Sequence, residues 1–231
     1  MKGVAAFPDR NRPIDNSHFP RTEIYEPQTN SLAATLGIAA VGSSAWAGGC
    51  SPIVIDLGNN GINLGQAGVG VYFDVNADGV RDHVQWVRRG GDEGFLAIDR
   101  SGNGLIDDVS ELFGVGTPMI LESRNAPNGF VGLAQYDSRQ LGGNDDGRIT
   151  DADAIWTQLR VWLDQNADGV STSDEMRTLR SVGLIGLDTI PRIRKVVDAA
   201  GNVIPYWAWA TQRAKPGRAL MADVFFLVLP K

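Results

Sequence analysis

Short runs of apolar residues, separated by Gly, Asn and Asp, dominate the chain beyond residue 52 and predict β-strands. Val, Ile and aromatic residues are frequent in these runs, as expected for side chains on a pleated surface. The predicted strands lie at 53–57, 70–73, 84–87, 95–98, 192–197, 203–210 and 224–229. The last three, within 184–231, are expected to form a small antiparallel sheet.

A period closer to that of a helix surrounds the segment 164–175. Ile155, Leu159 and Trp162 recur at i, i+4 and i+7, which places them on one helical face. A shorter apolar pattern after the segment ends at Gly183, and glycine is common just beyond helix ends. The predicted helices lie at 151–163 and 174–182, with further helical turns at 110–113 and 131–136. Together with the strands, these elements predict an α+β fold.

The segment 164–175, DQNADGVSTSDE, places oxygen-bearing side chains at alternate positions between the two predicted helices. This spacing is that of the twelve-residue calcium loop of an EF-hand, in which a glycine at position 6 allows a sharp turn. The expected ligands are Asp164, Asn166, Asp168, the carbonyl of Val170, Thr172 through a water, and Glu175. The alternative is a turn without metal, because D-x-N-x-D-G is also favourable turn sequence. The glutamate at position 12 favours calcium, since a turn does not require it.

Two further segments repeat the theme. The first, 74–85, lacks an acid at position 12, where Gln85 stands. Because predicted strands flank this segment, the alternative is a solvated hairpin turn. Its expected ligands are Asp74, Asn76, Asp78, Val80 and Asp82. In the second segment the helix-borne acid falls one residue late, at position 13. Its expected ligands are Asp99, Ser101, Asn103, Leu105 and Glu111.

A third copy is interrupted by extra residues after its first aspartate. The expected ligands are Asp137, Asn144, Asp146, Arg148 and Asp153. Closing a loop over a few extra residues costs only on the order of 1 kcal/mol, so the insertion is compatible with binding. The segment 56–61, DLGNNG, has a similar outline, but Gly58 and Asn60 replace the carboxylates and we expect no metal there.

Composition excludes several classes of function. The chain has 231 residues, 43% of them hydrophobic, and a net charge of −6 from 27 acidic and 21 basic residues. Basic patches interleaved with aromatic residues are absent from the sequence, which argues against a nucleic-acid partner. A single cysteine excludes an internal disulfide, and two distant histidines make a zinc enzyme improbable. Calcium ions are therefore the partners that the sequence predicts.

The N-terminal segment 1–49 has the features of a leader or a disordered segment. Residues 1–31 are rich in proline and charge, and 32–45 are small and apolar. The tripeptide 45–47, AWA, matches the pattern before a signal-peptidase site, which predicts a secreted or envelope protein. The apolar run is too short to span a bilayer. Cys50 is either a lipidation site or an ordinary free thiol, and the calcium-binding domain is expected at 50–231, with an EF-hand pair at 130–183.

Taken together, the motifs resemble the calcium region of secreted bacterial RTX-type exoproteins and of standalone bacterial secreted EF-hand domain proteins. The resemblance is carried by SPIVIDLGNNGI, VYFDVNADGV, GFLAIDRSGNGLIDDVSELFG, GGNDDGRITDAD and LRVWLDQNADGVSTSDEMRTL. It implies calcium binding and export. In the iron-regulated RTX exoproteins the similar region is a calcium-triggered self-processing module, which cleaves an Asp-Pro bond at its own start and links the new aspartyl end to a lysine.

The sequence departs from that pattern at the position of cleavage. Ser51 precedes Pro52, and no Asp-Pro pair occurs in the 231 residues. The reaction needs a carboxylate that attacks its own backbone carbonyl, and serine has none. We therefore expect the scaffold without the reaction, with residual self-processing as the alternative function.

Two other functions have less support in the sequence. A hydrolase is not expected, because the chain shows no Ser/His/Asp set, nucleophile elbow or phosphate loop. Tyr206, Trp207 and Trp209 suggest an aromatic binding surface. Their alternation along a strand, with both tryptophans on one face, is more typical of a core.

Overall fold

The computed structural model describes residues 50–214 and 217–230. This part of the chain contains one α-helix, α1 (Gly129–Ala134), and several short 3-10 turns. Its strands are β1 (Ile53–Asp56), β2 (Gly70–Phe73), β3 (Asp82–Gln85), β4 (Glu93–Ile98), β5 (Arg148–Ile149), β6 (Leu159–Trp162), β7 (Met176–Thr178), β8 (Leu184–Asp188), β9 (Arg192–Val197), β10 (Val203–Gln212) and β11 (Arg218–Phe225). The predicted leader segment 1–49 lies outside the described residues.

Nine of these strands form one antiparallel sheet in the order β5-β8-β10-β11-β1-β4-β6-β7, with β9 also paired to β10. The sheet curls into a half-barrel. Strands β2 and β3 form a separate hairpin. Because β1 pairs with both β11 and β4, the start of the described chain lies in the middle of the sheet.

The sheet is covered on both faces, and each face has its own hydrophobic core. Strand β4 shows the division, because all six of its residues are buried and alternate side chains point to opposite faces. Phe95 belongs to one core, which holds Trp86 and Trp162, whereas Leu96 belongs to the other, which holds Phe130 of α1. The rings of Trp86 and Phe95 lie 4.5 Å apart.

The predicted α+β fold with an EF-hand-like helix-loop-helix is wrong. The segment 151–163 forms a 3-10 turn, Ala154–Thr157, followed by strand β6, and the segment 174–182 contains strand β7. Leu159 packs in one core and Trp162 in the other, because β6 lies between β4 and β7. Strands buried on both faces have almost continuous apolar runs, which mimic helical spacing over a few residues.

The proposed small C-terminal sheet is wrong for a related reason. Strands β10 and β11 are the longest in the described chain and lie inside the large sheet, not on a helical pair. The strand expected at 224–229 is β11, which is shifted towards the N-terminus, and β3 is shifted likewise from 84–87. The other predicted strands are confirmed at nearly the expected bounds, as is the helix near 131–136.

The aromatic residues of β10 confirm the prediction of a core position. Trp207 is buried, and Trp209 packs partly buried against the same core. Tyr206 packs on the opposite face. Among the helices of the described chain, none has the length and apolar composition to cross a membrane.

Candidate functional site: acidic loops and the Ser51–Pro52 segment

Five loops share one backbone conformation, including the loop at 56–61 from which no metal binding is expected. We name them loop 1 (56–64), loop 2 (74–85), loop 3 (99–111), loop 4 (137–153) and loop 5 (164–175). The fourth position of each motif has a positive φ: Asn59, Ala77, Gly102, Asp145 and Ala167. The sixth position is a glycine with positive φ in every loop, where a residue with a Cβ would be strained.

The first aspartate of each loop accepts a hydrogen bond from the backbone N–H of that glycine. The five bonds are Gly61 to Asp56 at 2.8 Å, Gly79 to Asp74 at 2.8 Å, Gly104 to Asp99 at 2.8 Å, Gly147 to Asp137 at 2.7 Å and Gly169 to Asp164 at 2.9 Å. The glycine N–H thus holds the carboxylate inside the loop. Because each carboxylate oxygen accepts two bonds, each aspartate retains acceptor capacity for a cation.

Loop 5 connects β6 to β7, so strands flank it and not the predicted helices. Asp164 is buried and accepts a 2.7 Å hydrogen bond from Nε1 of Trp86. Burial raises the pKa of Asp164, although the N–H groups of Gly169 and Trp86 oppose the rise. Glu175 accepts a hydrogen bond from the Thr172 N–H at 3.1 Å.

The remaining members of loop 5 also follow the order of a calcium loop. Asp168 donates its backbone N–H to Asn166 at 3.1 Å, and Val170 donates its N–H to Asp168 at 2.8 Å. Trp162 Nε1 lies 3.4 Å from Glu175. The first acid of the loop, Asp164, thus contacts Trp86, and the last, Glu175, contacts Trp162.

In loop 3 the late acid, Glu111, reaches the loop from a 3-10 turn. Its two oxygens accept the backbone N–H groups of Arg100, Ser101 and Asp107, each at 2.9 Å. Asp99 is half-buried. Burial raises its pKa, but the N–H groups of Gly104 and Gly102 outweigh that effect and hold the pKa below its ordinary value. The structure thus brings the five predicted residues of this loop together: Asp99, Ser101, Asn103, Leu105 and Glu111.

Loop 4 closes around the insertion as the sequence predicts. The N–H of Asp146 donates to Asp137 at 3.1 Å, so Asp137 takes the first position although it precedes Asn144 by seven residues. The inserted residues include a 3-10 turn, Arg139–Leu141. Asp153 accepts the Thr150 N–H at 2.7 Å, and its other oxygen is buried with no hydrogen-bond partner among the described residues.

The side chain of Arg148, at position 7 of loop 4, points away from the loop oxygens. It forms an ion pair with Asp188 at 3.2 Å and donates to Thr211 at 2.6 Å. Position 7 of a calcium loop contributes only its backbone carbonyl, so the basic side chain is compatible with the predicted role.

Loop 2 joins β2 to β3, and its residues 76–81 are exposed. Asn76 donates to Asp78 at 3.0 Å, and Val80 donates its N–H to Asp78 at 2.8 Å. Asp82 lies in β3, opposite Phe73, and the residue at position 12 is buried in the same strand. Loop 2 therefore has the conformation of the other loops but no acid at its end.

These donor sets fit a hard cation. No group of three His, Cys, Asp or Glu side chains in the described ranges is placed to hold a metal by itself. Each of loops 2 to 5 instead combines two or three carboxylates with amide, hydroxyl or backbone carbonyl oxygens, which are ligands that Ca²⁺ accepts.

A separate buried cluster surrounds the Ser51–Pro52 segment. The carbonyls of Cys50 and Pro52 accept the N–H groups of Phe226 and Val224, both at 3.0 Å, so the segment extends β1 along β11. Cys50 is a buried free thiol, and burial together with the charge of Asp223 raises its pKa.

Asp223 directly precedes Val224 in β11, lies opposite Ile53 of β1 and is fully buried. Its Oδ2 accepts the backbone N–H of Gly129 at 2.6 Å, at the start of α1. Its Oδ1 has no hydrogen-bond partner in the described part of the chain, although the Ser51 hydroxyl is near enough to lower the pKa. Burial outweighs both neighbours and raises the pKa of Asp223 to about 7.

The ELFG motif at 111–114 connects loop 3 to this cluster. Phe113 accepts the Ile53 N–H at 2.8 Å, and Val115 donates its N–H to the Ser51 hydroxyl at 3.0 Å. A Cβ on Gly114 would overlap with the carbonyl oxygen of Ser51. The motif therefore positions an acid in loop 3 and lets the chain pass close to Ser51.

Sequence reasoning missed Asp223. Its indication in the sequence is an aspartate inside an otherwise apolar run, ALMADVFFLVL at 219–229. A charged residue in a strand of this kind is buried with a partner or is functional.

Two comparisons relate the chain to known proteins. The family model described as the SPM domain matches residues 53–227. The chain is also 40% identical over 139 residues to the iron-regulated protein FrpA of Neisseria meningitidis serogroup C. That match covers 59% of this chain and 12% of the relative, so the chain spans a small part of FrpA.

Proposed function

This chain belongs to the SPM domain family, and from that premise we propose that it is a module of the self-processing type whose acidic loops bind Ca²⁺. The bound ions order the loops and stabilise the sheet around the Ser51–Pro52 segment. The similarity to FrpA supports the further proposal that the protein is exported from a bacterial cell.

The observation that carries the proposal is the common geometry of loops 2 to 5. In each loop a glycine N–H holds the first aspartate inside the loop. In loops 3, 4 and 5 a second acid also approaches, namely Glu111, Asp153 and Glu175. Carboxylates brought this close repel one another until a cation neutralises them, so binding contributes to the folding free energy.

Loop 3 links cation binding to the Ser51–Pro52 segment. Glu111 belongs to the loop, and Phe113 and Gly114 contact Ile53 and Ser51. Only a few bonds separate the loop ligand from these contacts. A cation in loop 3 therefore restrains the backbone beside the segment.

Self-cleavage by an aspartyl anhydride is not part of the proposed function. The reaction would need a carboxylate at residue 51, where this chain has a serine. Ser51 is nevertheless buried beside Asp223, Val115 and Gly114.

Titration of the full chain with Tb³⁺ tests calcium binding, because Trp86 and Trp162 contact the first and last acids of loop 5. We expect tryptophan-sensitised Tb³⁺ emission that excess Ca²⁺ displaces, and a melting temperature that rises with Ca²⁺ and falls in chelator. Asp164→Asn should remove most of the sensitised emission.

Glu122→Gln is the matched control, because Glu122 is an exposed carboxylate paired with Arg124 away from the loops. It should leave the emission and the melting temperature unchanged. An identical melting temperature in Ca²⁺ and in chelator, with no displaceable emission, would reject the proposal.

A further inference from the structure

We propose that loop 1, in which Asp56 is the only acid, is a fifth divalent-cation site that Asp92 and Glu93 complete from the start of β4. The inference rests on the proposed calcium binding of the other loops. It extends the set of sites to a segment whose own sequence does not predict one.

Loop 1 has the backbone of a calcium loop. Asn59 and Gly61 have positive φ values of 58° and 95°, as their counterparts in the other loops do. Asp56 accepts the N–H of Asn60 at 3.2 Å and that of Gly61 at 2.8 Å. In loop 5 the corresponding bond to Asp164, from the N–H of Asp168, is also 3.2 Å. The conformation is therefore present without the usual side chains at positions 3 and 5.

Asp92 occupies the space of the missing third ligand. A Cβ on Gly58, at position 3, would overlap with Oδ2 of Asp92. Asn60, at position 5, donates its side-chain amide to the same oxygen at 2.7 Å. In loop 5 an amide and a carboxylate at positions 3 and 5 form the same pair, Asn166 to Asp168, at 2.9 Å. In loop 1 the amide is at position 5, and the carboxylate near position 3 belongs to Asp92, directly before β4.

Glu93 takes the place of the acid at position 12. Its Oε1 accepts the backbone N–H of Asn63 at 2.7 Å, at the end of loop 1. Glu175 and Asp153 accept comparable N–H groups in loops 5 and 4. Thr172 and Thr150 stand at position 9 of their loops and Asn63 at position 8, so Glu93 makes a similar contact one residue earlier, although it comes from a distant part of the sequence.

Three oxygens of this cluster are buried and have no hydrogen-bond partner among the described residues. Glu93 is only 2% exposed, and its Oε2 has no hydrogen-bond partner within the described ranges. Oδ1 of Asp92 and Oδ1 of Asn59 are also buried atoms without such a partner. None of the ion pairs found in those ranges includes Asp56, Asp92 or Glu93. Unpaired buried carboxylates are costly, and a hard cation with oxygen ligands satisfies them.

Counting bound ions on the full chain tests the inference. Native mass spectrometry in Ca²⁺ should give one ion fewer for Glu93→Gln and for Asp92→Asn than for the wild type. Asp164→Asn is the matched control for a loss at another site, and the double variant Asp164→Asn/Glu93→Gln should lose two ions. Circular dichroism checks that each variant is folded, and Asp92→Asn, at a half-buried position, provides the count if Glu93→Gln does not fold.

The outcomes separate the two proposals. If Asp92→Asn and Glu93→Gln keep the wild-type number of ions, the fifth site is wrong while calcium binding by the other loops stands. If the wild type binds no ions, the proposed function itself fails.

Discussion

Asp223 shows at the level of one residue how the fold accommodates an ionisable group in its core. The carboxyl is fully buried, and one of its oxygens accepts the Gly129 N–H. Burial raises its pKa to about 7, so the folded protein holds a proton that the unfolded chain releases near pH 4. Its neutral form is the one that the interior favours.

A pH dependence of stability follows from this pKa. The contribution of Asp223 is fully present below about pH 4 and is lost as the pH rises towards 7, because only the unfolded chain is ionised in that window. The loss is at most about 4 kcal/mol, since one pKa unit corresponds to ~1.4 kcal/mol. Asp223→Asn removes the titration and keeps a side chain that accepts the Gly129 N–H.

Urea unfolding at about pH 5 and pH 8 measures the effect. We expect the free energy of unfolding to fall more steeply with pH in the wild type than in Asp223→Asn. Parallel pH profiles for the two proteins would show that Asp223 titrates normally in the folded state.

The ELFG motif is the element that joins an acidic loop to the sheet. Leu112 and Phe113 are buried on opposite faces, Glu111 binds loop 3 through N–H groups, and Gly114 passes the Ser51 carbonyl. A side chain at Gly114 has no space, because the obstructing atom belongs to the backbone and not to a flexible side chain.

Gly114→Ala should therefore lower the stability by about 1–3 kcal/mol, the usual cost of overpacking. For a chain of this size that corresponds to a fall in melting temperature of about 2–4 °C per kcal/mol. Gly217→Ala is the matched control, because a Cβ there meets no atom within 4 Å. Equal melting temperatures for the two variants would contradict the close approach of Gly114 to Ser51.

Some strands could be predicted from the sequence and others could not. Strands such as β2 and β9 could be predicted, because their β-forming residues and the turns that bound them are local features of the sequence. Asp137 could be assigned to loop 4 across the insertion, because a few extra residues add little to the entropy cost of closing a loop. Strand β6 could not be predicted, since burial on both faces removed the alternation that distinguishes a strand from a helix. Strand β7 could not either, because its three residues are too few to show a period.

The functional groups missed by the sequence are those brought in from distant elements. Asp92 and Glu93 lie more than thirty residues beyond Asp56, and Asp223 contacts Gly129 across 94 positions. No local spacing rule connects such residues, because the sheet order alone brings β1, β4 and β11 together.

At the scale of the whole molecule, the chain is expected to stay covalently intact in Ca²⁺, because residue 51 carries no carboxylate. Ser51→Asp restores an acid before Pro52 and should make the chain split after residue 51. The introduced carboxylate attacks its own carbonyl carbon, the bond to the Pro52 nitrogen breaks, and that nitrogen takes up a proton. Asp223, with a pKa of about 7 and next to residue 51, is a suitable donor.

Intact-mass measurement after incubation in Ca²⁺ checks this prediction. We expect fragments of residues 1–51 and 52–231 from Ser51→Asp, and none from the wild type or from Ser51→Asn, which has the same shape without the acid. A folded Ser51→Asp variant that stays whole in Ca²⁺ would show that the scaffold lacks another requirement of the reaction.

The central position of β1 has a mechanical consequence. A pull on the chain upstream of Cys50 acts along β1, which is hydrogen-bonded to β11 on one side and to β4 on the other. Such a force loads many hydrogen bonds at once in shear. At a free edge, by contrast, the hydrogen bonds would open one after another. Whatever precedes residue 50 is thus tethered to a force-resistant part of the molecule.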